Sequence, residues 1–360
     1  MDKFFQLLRL AVGASSDIPE VKLEEWAAIY EMAKKQSLLG IVFDGIEKMG
    51  NAVRMDSDLL MTWVGKSKLI ERRNLQLNEA VVKVSEYFQK NGFETCILKG
   101  QGNALMYPKP LHRTPGDIDI WVSGKDSNII RFVHSIAPNE KASYHHIDFP
   151  AYKGVSVEVH YRPCYLQNFV RNARLQQFFR ERAEEQFLHR VDGEFGSFAV
   201  PTSHFNVVYQ LVHVFGHLFQ EGIGLRQILD YYFVVLKLHE GLTDFSDSLN
   251  FAALQWELKN LGLYEFAGAM MFVLHEVLGL EENKMIVPMD EKRGKMLLEE
   301  ILASGNFGKY DERYGFGHGA VGHNLQRLFR DLRLVRYYPA EALSEPIFRA
   351  WHFWWRKWQK

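Results

Sequence analysis

Cysteine is nearly absent from this chain of 360 residues: it has two, Cys96 and Cys164, and no paired CxxC spacing. That excludes a disulfide scaffold and a cysteine-rich zinc site, and fits a reducing cytoplasm. An excess of one charge is also missing. Lys and Arg number 43 against 44 Asp and Glu, a net charge of -1. No global field draws the chain to nucleic acid or anionic membrane, so such a partner would need a local patch. No apolar run reaches the roughly 18 residues of a membrane span, and GAMMFVLHEVLGL is interrupted by His275 and Glu276. The opening MDKFFQLLRLAVG has Asp2 before its apolar run and Gln6 and Arg9 within it. Phe4, Leu7, Leu8 and Ala11 recur at helical spacing, so it reads as an amphipathic helix rather than a secretion signal. A soluble, cytoplasmic protein is the expectation. Two glycine signatures are absent as well. Gly100-Gln101-Gly102 lacks the third glycine of a dinucleotide-binding fingerprint, and there is no GxxxxGK phosphate loop.

What is present falls into three stretches. Residues 1–92 read as helices, with Trp26, Ile29, Tyr30, Ala33, Leu38, Ile41 and Ile46 along helical stripes. A longer pattern from Asp58 to Lys90 carries Leu69, Leu75, Leu77, Val81, Val84 and Phe88, and ends at Asn91-Gly92. Residues 93–202 change texture. FETCILKG is a short β-type run, DIDIWV (117–122) alternates with period two, and Lys125–Ala137 returns to helix. SYHHIDFPAYKGVSVEVHYRP then reads as two strands joined near Lys153-Gly154, with a further helix and one possible strand, GSFAV, beyond. Residues 203–360 are again helical, strongest over Asn206–Leu218 and Arg226–His239, with further helices expected at 249–280, 290–303 and 323–336. The Gly-rich stretch 304–324 reads as a surface loop. The fold class is α+β, a small sheet core flanked by N-terminal and C-terminal helical regions.

In a strand, Asp117 and Asp119 project from one face while Ile118 and Ile120 point to the other. Glu158 sits in the same alternation within VSVEVH, between Val157 and Val159. Taken alone, a DxD on a strand is more often the solvated face of an amphipathic sheet. Its surroundings favour chemistry instead. Leu98-Lys99-Gly100-Gln101-Gly102 runs from strand end into glycines, where backbone N–H groups can approach phosphate oxygens. Lys99 could add a cation, and Arg113, just before the acids, could pair with phosphate or brace a carboxylate. If the strands pair, three hard oxygen ligands converge, a set that suits Mg²⁺.

Read together, ILKGQGNALMYPKPLHRTPGDIDIWV and VEVH resemble the nucleotidyltransferase superfamily, specifically its branch of uncharacterised bacterial nucleotidyltransferases. The resemblance in motif covers about 95–163. It implies a nucleotidyltransferase-type mixed sheet, with Gly100 and Gly102 at the glycine turn, Asp117 and Asp119 as the paired acids and Glu158 as the third. The chain departs from better-known members in the long gap between Gly100 and Asp117 and in lacking their Gly-Ser dipeptide. The activity implied is Mg²⁺- or Mn²⁺-dependent transfer of a nucleoside monophosphate from an NTP such as ATP to a hydroxyl of a small molecule, a sugar derivative or a protein, with release of pyrophosphate. Asp117, Asp119 and Glu158 are then the catalytic and metal-binding residues, and Lys99, Gly100, Gly102 and Arg113 contact the nucleotide. Two other readings stay open: a catalytically silent nucleotide-binding or scaffold module, and a transferase that modifies nucleic-acid ends, which the charge balance disfavours.

Other residues carry weaker signals. His160 shares a strand face with Glu158. His213 and His217 are four apart on a helix, a metal-compatible spacing, but no acid completes the set, and histidines packed or lining the cleft are the commoner outcome. Arg226 and Asp230 have the same offset, which suits an intrahelical ion pair or a cleft-facing pair. The tail AWHFWWRKWQK places Trp351, Trp354, Trp355 and Trp358 at helical spacing among Arg356, Lys357 and Lys360. Packing is favoured there over base stacking or a membrane surface.

Overall fold

The computed structural model describes residues 1–240, 247–311, 313 and 320–358. Amphipathic spacing in the first quarter of the chain produces α1 (Asp2–Val12), α2 (Trp26–Lys35), α3 (Leu39–Met49) and α4 (Ser57–Lys90). Asp56 starts α4 by accepting from the Asp58 and Leu59 amides at 2.9 and 3.2 Å, which satisfies two donors that the first turn leaves free. The first half of α4 belongs to the helical region: Trp63 is fully buried, edge-on to Trp26 and Tyr30. Its second half lies under the sheet, where Leu77, Val81, Val84 and Phe88 join one cluster with Ile97, Ile120, Val157 and Val159. Leu69, grouped with that stripe in the sequence, is exposed, because it precedes the part of α4 that the sheet covers.

The sheet is built from β1 (Thr95–Ile97), β2 (Ile118–Val122), β3 (His146–Tyr152) and β4 (Val155–His160), with the short helix α5 (Gln101–Ala104) after β1 and α6 (Asp126–Ile136) after β2. The spatial order is β1-β2-β4-β3. β2 and β4 are parallel, and the two outer pairings are antiparallel, so the sheet is mixed. Lys153 and Gly154, both with positive φ (48° and 77°), form the two-residue turn between β3 and β4, a conformation that matches strand twist. Pro150 lies on β3, an edge strand whose register shifts between Phe149 and Tyr152, and there the missing N–H costs little.

After the sheet come α7 (Phe169–Leu188), the hairpin β5 (Arg190–Gly193) and β6 (Gly196–Ala199), then α8 (Ser203–Gln220), α9 (Leu225–Glu240), α10 (Asp247–Leu261), α11 (Tyr264–Leu278), α12 (Glu291–Ser304), α13 (Ala320–Leu334) and α14 (Pro339–Trp358). The helix expected over 249–280 is two, bent by 118° at Gly262, whose φ is +69°. No single described helix is long and apolar enough to cross a membrane, and α11 is largely buried in the core. The fold is α+β with helical flanks, as the pattern predicted. Residues 312 and 314–319 of the Gly-rich stretch, Lys360 and the Trp358 side chain lie outside the described residues, and α12 and α13 take the two ends of that stretch. The rest of the tail is divided. Trp351 and Trp355 meet Tyr144 edge-on, whereas Trp354 is 56% exposed.

The second face of the sheet is covered by α7 and α8 as far as Trp121, which packs on Phe187 at 4.7 Å and stacks on Phe205 at 5.7 Å. A cleft lined by Asp119 and Glu158 opens on that face. The segment leading to Asp117 is pinned by His112. Its carbonyl lies so close to Gly40 that a Cβ there would stand 2.2 Å away. Its ring bridges Asp44 of α3 and Glu71 of α4, the latter at 2.7 Å. The hydrogen bond to Asp44 raises the His112 pKa against the opposing effect of burial, and Glu71 adds to the rise. A raised folded pKa means the charged ring contributes stability that is fully present below the ordinary histidine value and is lost as pH climbs through the folded one. Urea unfolding should therefore show His112→Gln less stable than wild type by on the order of 2 kcal/mol at pH 5.5, with the gap narrowing by pH 9. An equal gap at both pH values would contradict this.

Candidate active site

Parallel pairing sets Asp119 beside Glu158, with Ile118 beside Val157 and Trp121 beside His160. Asp117 immediately precedes β2. One ligand oxygen from each of Asp117, Asp119 and Glu158 lies within 4.8 Å of the others, so the structure brings together the three acids singled out from sequence. Asp119 is not a solvated carboxylate: it is 2% exposed. Its Oδ1 receives the Lys99 ammonium at 3.0 Å and His160 Nε2 at 3.1 Å, while its buried Oδ2 has no partner. Burial pushes the Asp119 carboxyl up, but Lys99 and the hydrogen bond from His160 outweigh it and hold the pKa below the ordinary value. Glu158 behaves alike, with His160 overcoming burial. Burial opposes the charged form of His160, yet its bonds to both acids push its pKa up to about 9.

The acids line a cleft of about 560 Å³ between the sheet, α8, α9 and the segment around Phe307. Lys99 enters it from the end of β1. Gly100, with φ +58° and ψ -111°, a conformation that residues with a Cβ rarely adopt, turns the chain there beside the Asp117 carbonyl. His213 and His217, one turn apart on α8, sit behind Lys99, with His213 Nε2 3.4 Å from its ammonium and 3.2 Å from His217 Nε2. Burial first, then the Lys99 charge, drives both pKa values down, His217 to about 3. Two neutral rings thus back the lysine. Neither shares a three-residue group of metal-ligand spacing among the described residues.

Of the residues expected at the nucleotide, Gly102 stands outside the cleft, and Arg113 lines it but is engaged by Asp230. Gly102 lies within α5 against Val200, where a Cβ would come within 3.1 Å of Val200 Cγ1, so its small size serves packing. Arg113 is 4% exposed and bidentate to Asp230, with Nε and a terminal nitrogen each 2.7 Å from a carboxylate oxygen, while Tyr107 Oη donates to Asp230 at 2.6 Å. Bracing a carboxylate is what its geometry does. Asp230 is consequently held by Arg113 and not by Arg226, its neighbour one turn earlier on α9. Arg226 instead faces the cleft, lies 5.2 Å over the Phe307 ring and makes one long bond to the Thr114 carbonyl at 3.4 Å, and its buried Nε is unpartnered. His145 and His146 are site residues that sequence reasoning did not assign, and Arg226, weighed there in an ion pair or a cleft-facing pair, lines the cleft. The SYHHID pair was visible, but nothing local tied it to Glu158.

A small mixed sheet thus carries a DxD at one central strand and a third acid in register on its parallel neighbour, open to a cleft lined by cations. The chain belongs to the family described as uncharacterised nucleotidyltransferase, whose profile matches residues 22–279. Among solved structures, an antigenic nucleotidyltransferase-like protein from Paracoccidioides brasiliensis is similar over 60% of this chain and 95% of its own, at 11% identity and a TM-score of 0.33. That likeness is too low to carry structure or function across. No curated protein matches the chain.

The contacts of the two arginines of the cleft should differ in how much stability they carry. Asp230→Ala leaves the Arg113 guanidinium buried without its partner and should cost about 3–5 kcal/mol of unfolding free energy. Arg226→Ala, which breaks no ion pair, should cost under about 1 kcal/mol. Chemical denaturation decides between them, and similar losses would refute the division of roles.

Proposed function

We propose that the protein transfers a nucleoside monophosphate from an NTP to a hydroxyl acceptor, a small molecule, a sugar derivative or a protein side chain, releasing pyrophosphate. The carrying observation is the buried, unpartnered Oδ2 of Asp119 amid three converging carboxylates. A buried carboxylate oxygen left without a donor is costly, and a divalent cation is what such an atom fits. Asp117, Asp119 and Glu158 would hold Mg²⁺ or Mn²⁺. When bound, the ion supplies charge neutralisation on the triphosphate and lowers the pKa of an acceptor hydroxyl.

The chain's own groups do the rest. Lys99 and Arg226 flank the acids and offset the negative charge that moves onto the leaving pyrophosphate. The acceptor oxygen forms its bond to the α-phosphorus as the bond to the β-phosphate oxygen breaks, and its proton passes to Glu158, whose side chain is 28% exposed to the cleft. His213 and His217, held neutral, add no positive charge to compete with Lys99. A cleft of about 560 Å³ has room for a nucleotide beside a small acceptor. With a net charge of -1, polynucleotide acceptors are disfavoured.

Thermal unfolding with a panel of NTPs tests the reading. ATP or another NTP should raise Tm when Mg²⁺ or Mn²⁺ is present and leave it unchanged in EDTA. Equal stabilisation in EDTA would defeat the metal assignment. Asp117→Asn should lower transfer by about a hundredfold or more with little effect on folding. Asp119→Asn should lose both activity and stability, since it leaves the Lys99 ammonium without its carboxylate. Glu158→Gln should lower turnover more than NTP affinity. Nucleotide binding with no transfer to any acceptor would identify a silent binding module instead.

A further inference from the structure

Behind the carboxylates lies a second group of donors with different chemistry. His146 and His160 are direct cross-strand partners on β3 and β4, and Glu158 is two residues before His160 on the same face. His146 Nδ1 lies 3.7 Å from Glu158 Oε2 and His160 Nε2 lies 3.5 Å from the same oxygen. One ligand atom from each of the three falls within 4.8 Å of the others. We propose that His146, Glu158 and His160 form a second cation position, adjoining the all-oxygen one and selective for a transition-metal dication over Mg²⁺. The proposal rests on the functional reading above in that Glu158 is shared by both positions.

Three features support a site that is built rather than a chance meeting of side chains. His160 Nδ1 donates to the Pro163 carbonyl at 3.2 Å, which commits that nitrogen and leaves Nε2 to face Glu158 and Asp119. Metal-binding histidines are oriented by this kind of outer hydrogen bond. The donors also stand on paired strands, whose backbones fix their spacing better than loops would. Finally, His145 packs edge-on against both rings, with centroids 4.4 Å from His146 and 5.2 Å from His160, and its Nε2 lies 3.0 Å from His146 Nδ1. Their planes are therefore held, and a third imidazole stands at the rim.

Selectivity follows from the donor set. Mg²⁺ prefers oxygen and surrenders water reluctantly, whereas imidazole nitrogen suits Mn²⁺, Co²⁺ and Zn²⁺, with affinity rising along the first-row series. The two positions would thus draw on different ions: Asp117, Asp119 and Glu158 offer oxygens alone, and the neighbouring position offers two nitrogens and a bridging carboxylate.

Co²⁺ alone, with no nucleotide, is the probe. Titrated into the full chain in excess Mg²⁺, it should bind and develop the visible d–d absorption of a nitrogen-ligated ion. His146→Ala should weaken that binding by roughly 10–100-fold, and His146→Gln should do the same if the alanine variant folds poorly. Asp117→Asn, which touches only the all-oxygen position, should leave the absorption in place. Displacement of Co²⁺ by Mg²⁺, or undiminished absorption in both His146 variants, would overturn the proposal. The same samples are then scored for the Mg²⁺-dependent rise in Tm with ATP. Loss of that rise with Co²⁺ binding intact defeats the nucleotidyltransferase reading alone, and the reverse pattern defeats the second cation position alone.

Discussion

An in-register parallel pair of strands governs this molecule. Because β2 and β4 run side by side in the same direction, residues of like parity share a face, and Asp119 falls next to Glu158. A slip of one residue would set Ile118 or Ile120 opposite Glu158, turning one strand's acids toward the apolar cluster on α4. The hydrophobic side prevents it. Ile118, Ile120, Val157 and Val159 interlock in that cluster, so the packing that stabilises the sheet also aligns the charges on its other face.

Aligning charges in a partly buried place creates a second requirement, which is to balance them. Two buried cations meet it in different ways. Lys99 reaches the acids on a flexible stem and is backed by neutral imidazoles. Arg113 is fixed in a planar, bidentate embrace with Asp230 and helped by Tyr107. The guanidinium fork suits a permanent tether, and the ammonium on its flexible stem suits a contact that can be exchanged. The tether fastens the segment preceding Asp117 to α9, while His112 fastens it to α3 and α4. The long excursion between Gly100 and Asp117 is thereby held at both faces and delivers its acid to a defined point.

Much of this was legible in the residues. Period 3.6 marked the long helices, Lys153-Gly154 marked the hairpin, and alternation through DIDIWV and VSVEVH put three acids on like faces. The unread parts share a cause: they depend on contacts between distant segments. Arg113 and Asp230 are more than a hundred residues apart, and no local pattern pairs them. β5 is short and polar, RVDG, and is a strand only because β6 folds back on it. The two-helix bend at Gly262 looked like one helix because apolar residues continue across it. Burial of Asp119 was hidden for a related reason. Alternation says which face a side chain takes, but what covers that face is decided by α7 and α8, which follow much later in the chain.

Lys99 has a further bearing on how ligands arrive. Asp119 Oδ1 is already engaged by the Lys99 ammonium at 3.0 Å. On the proposed reading, a dication that took this oxygen as well as the unpartnered Oδ2 would displace a resident charge, so its entry there would be an exchange and its affinity a difference between two attractions. The exchange is favourable only when the displaced ammonium has somewhere to go, and the phosphates of a nucleotide offer that destination. On the proposed reading, metal and nucleotide would therefore be interdependent guests at the all-oxygen position: each would make room for the other, and neither alone would restore the balance that the lysine maintains in their absence.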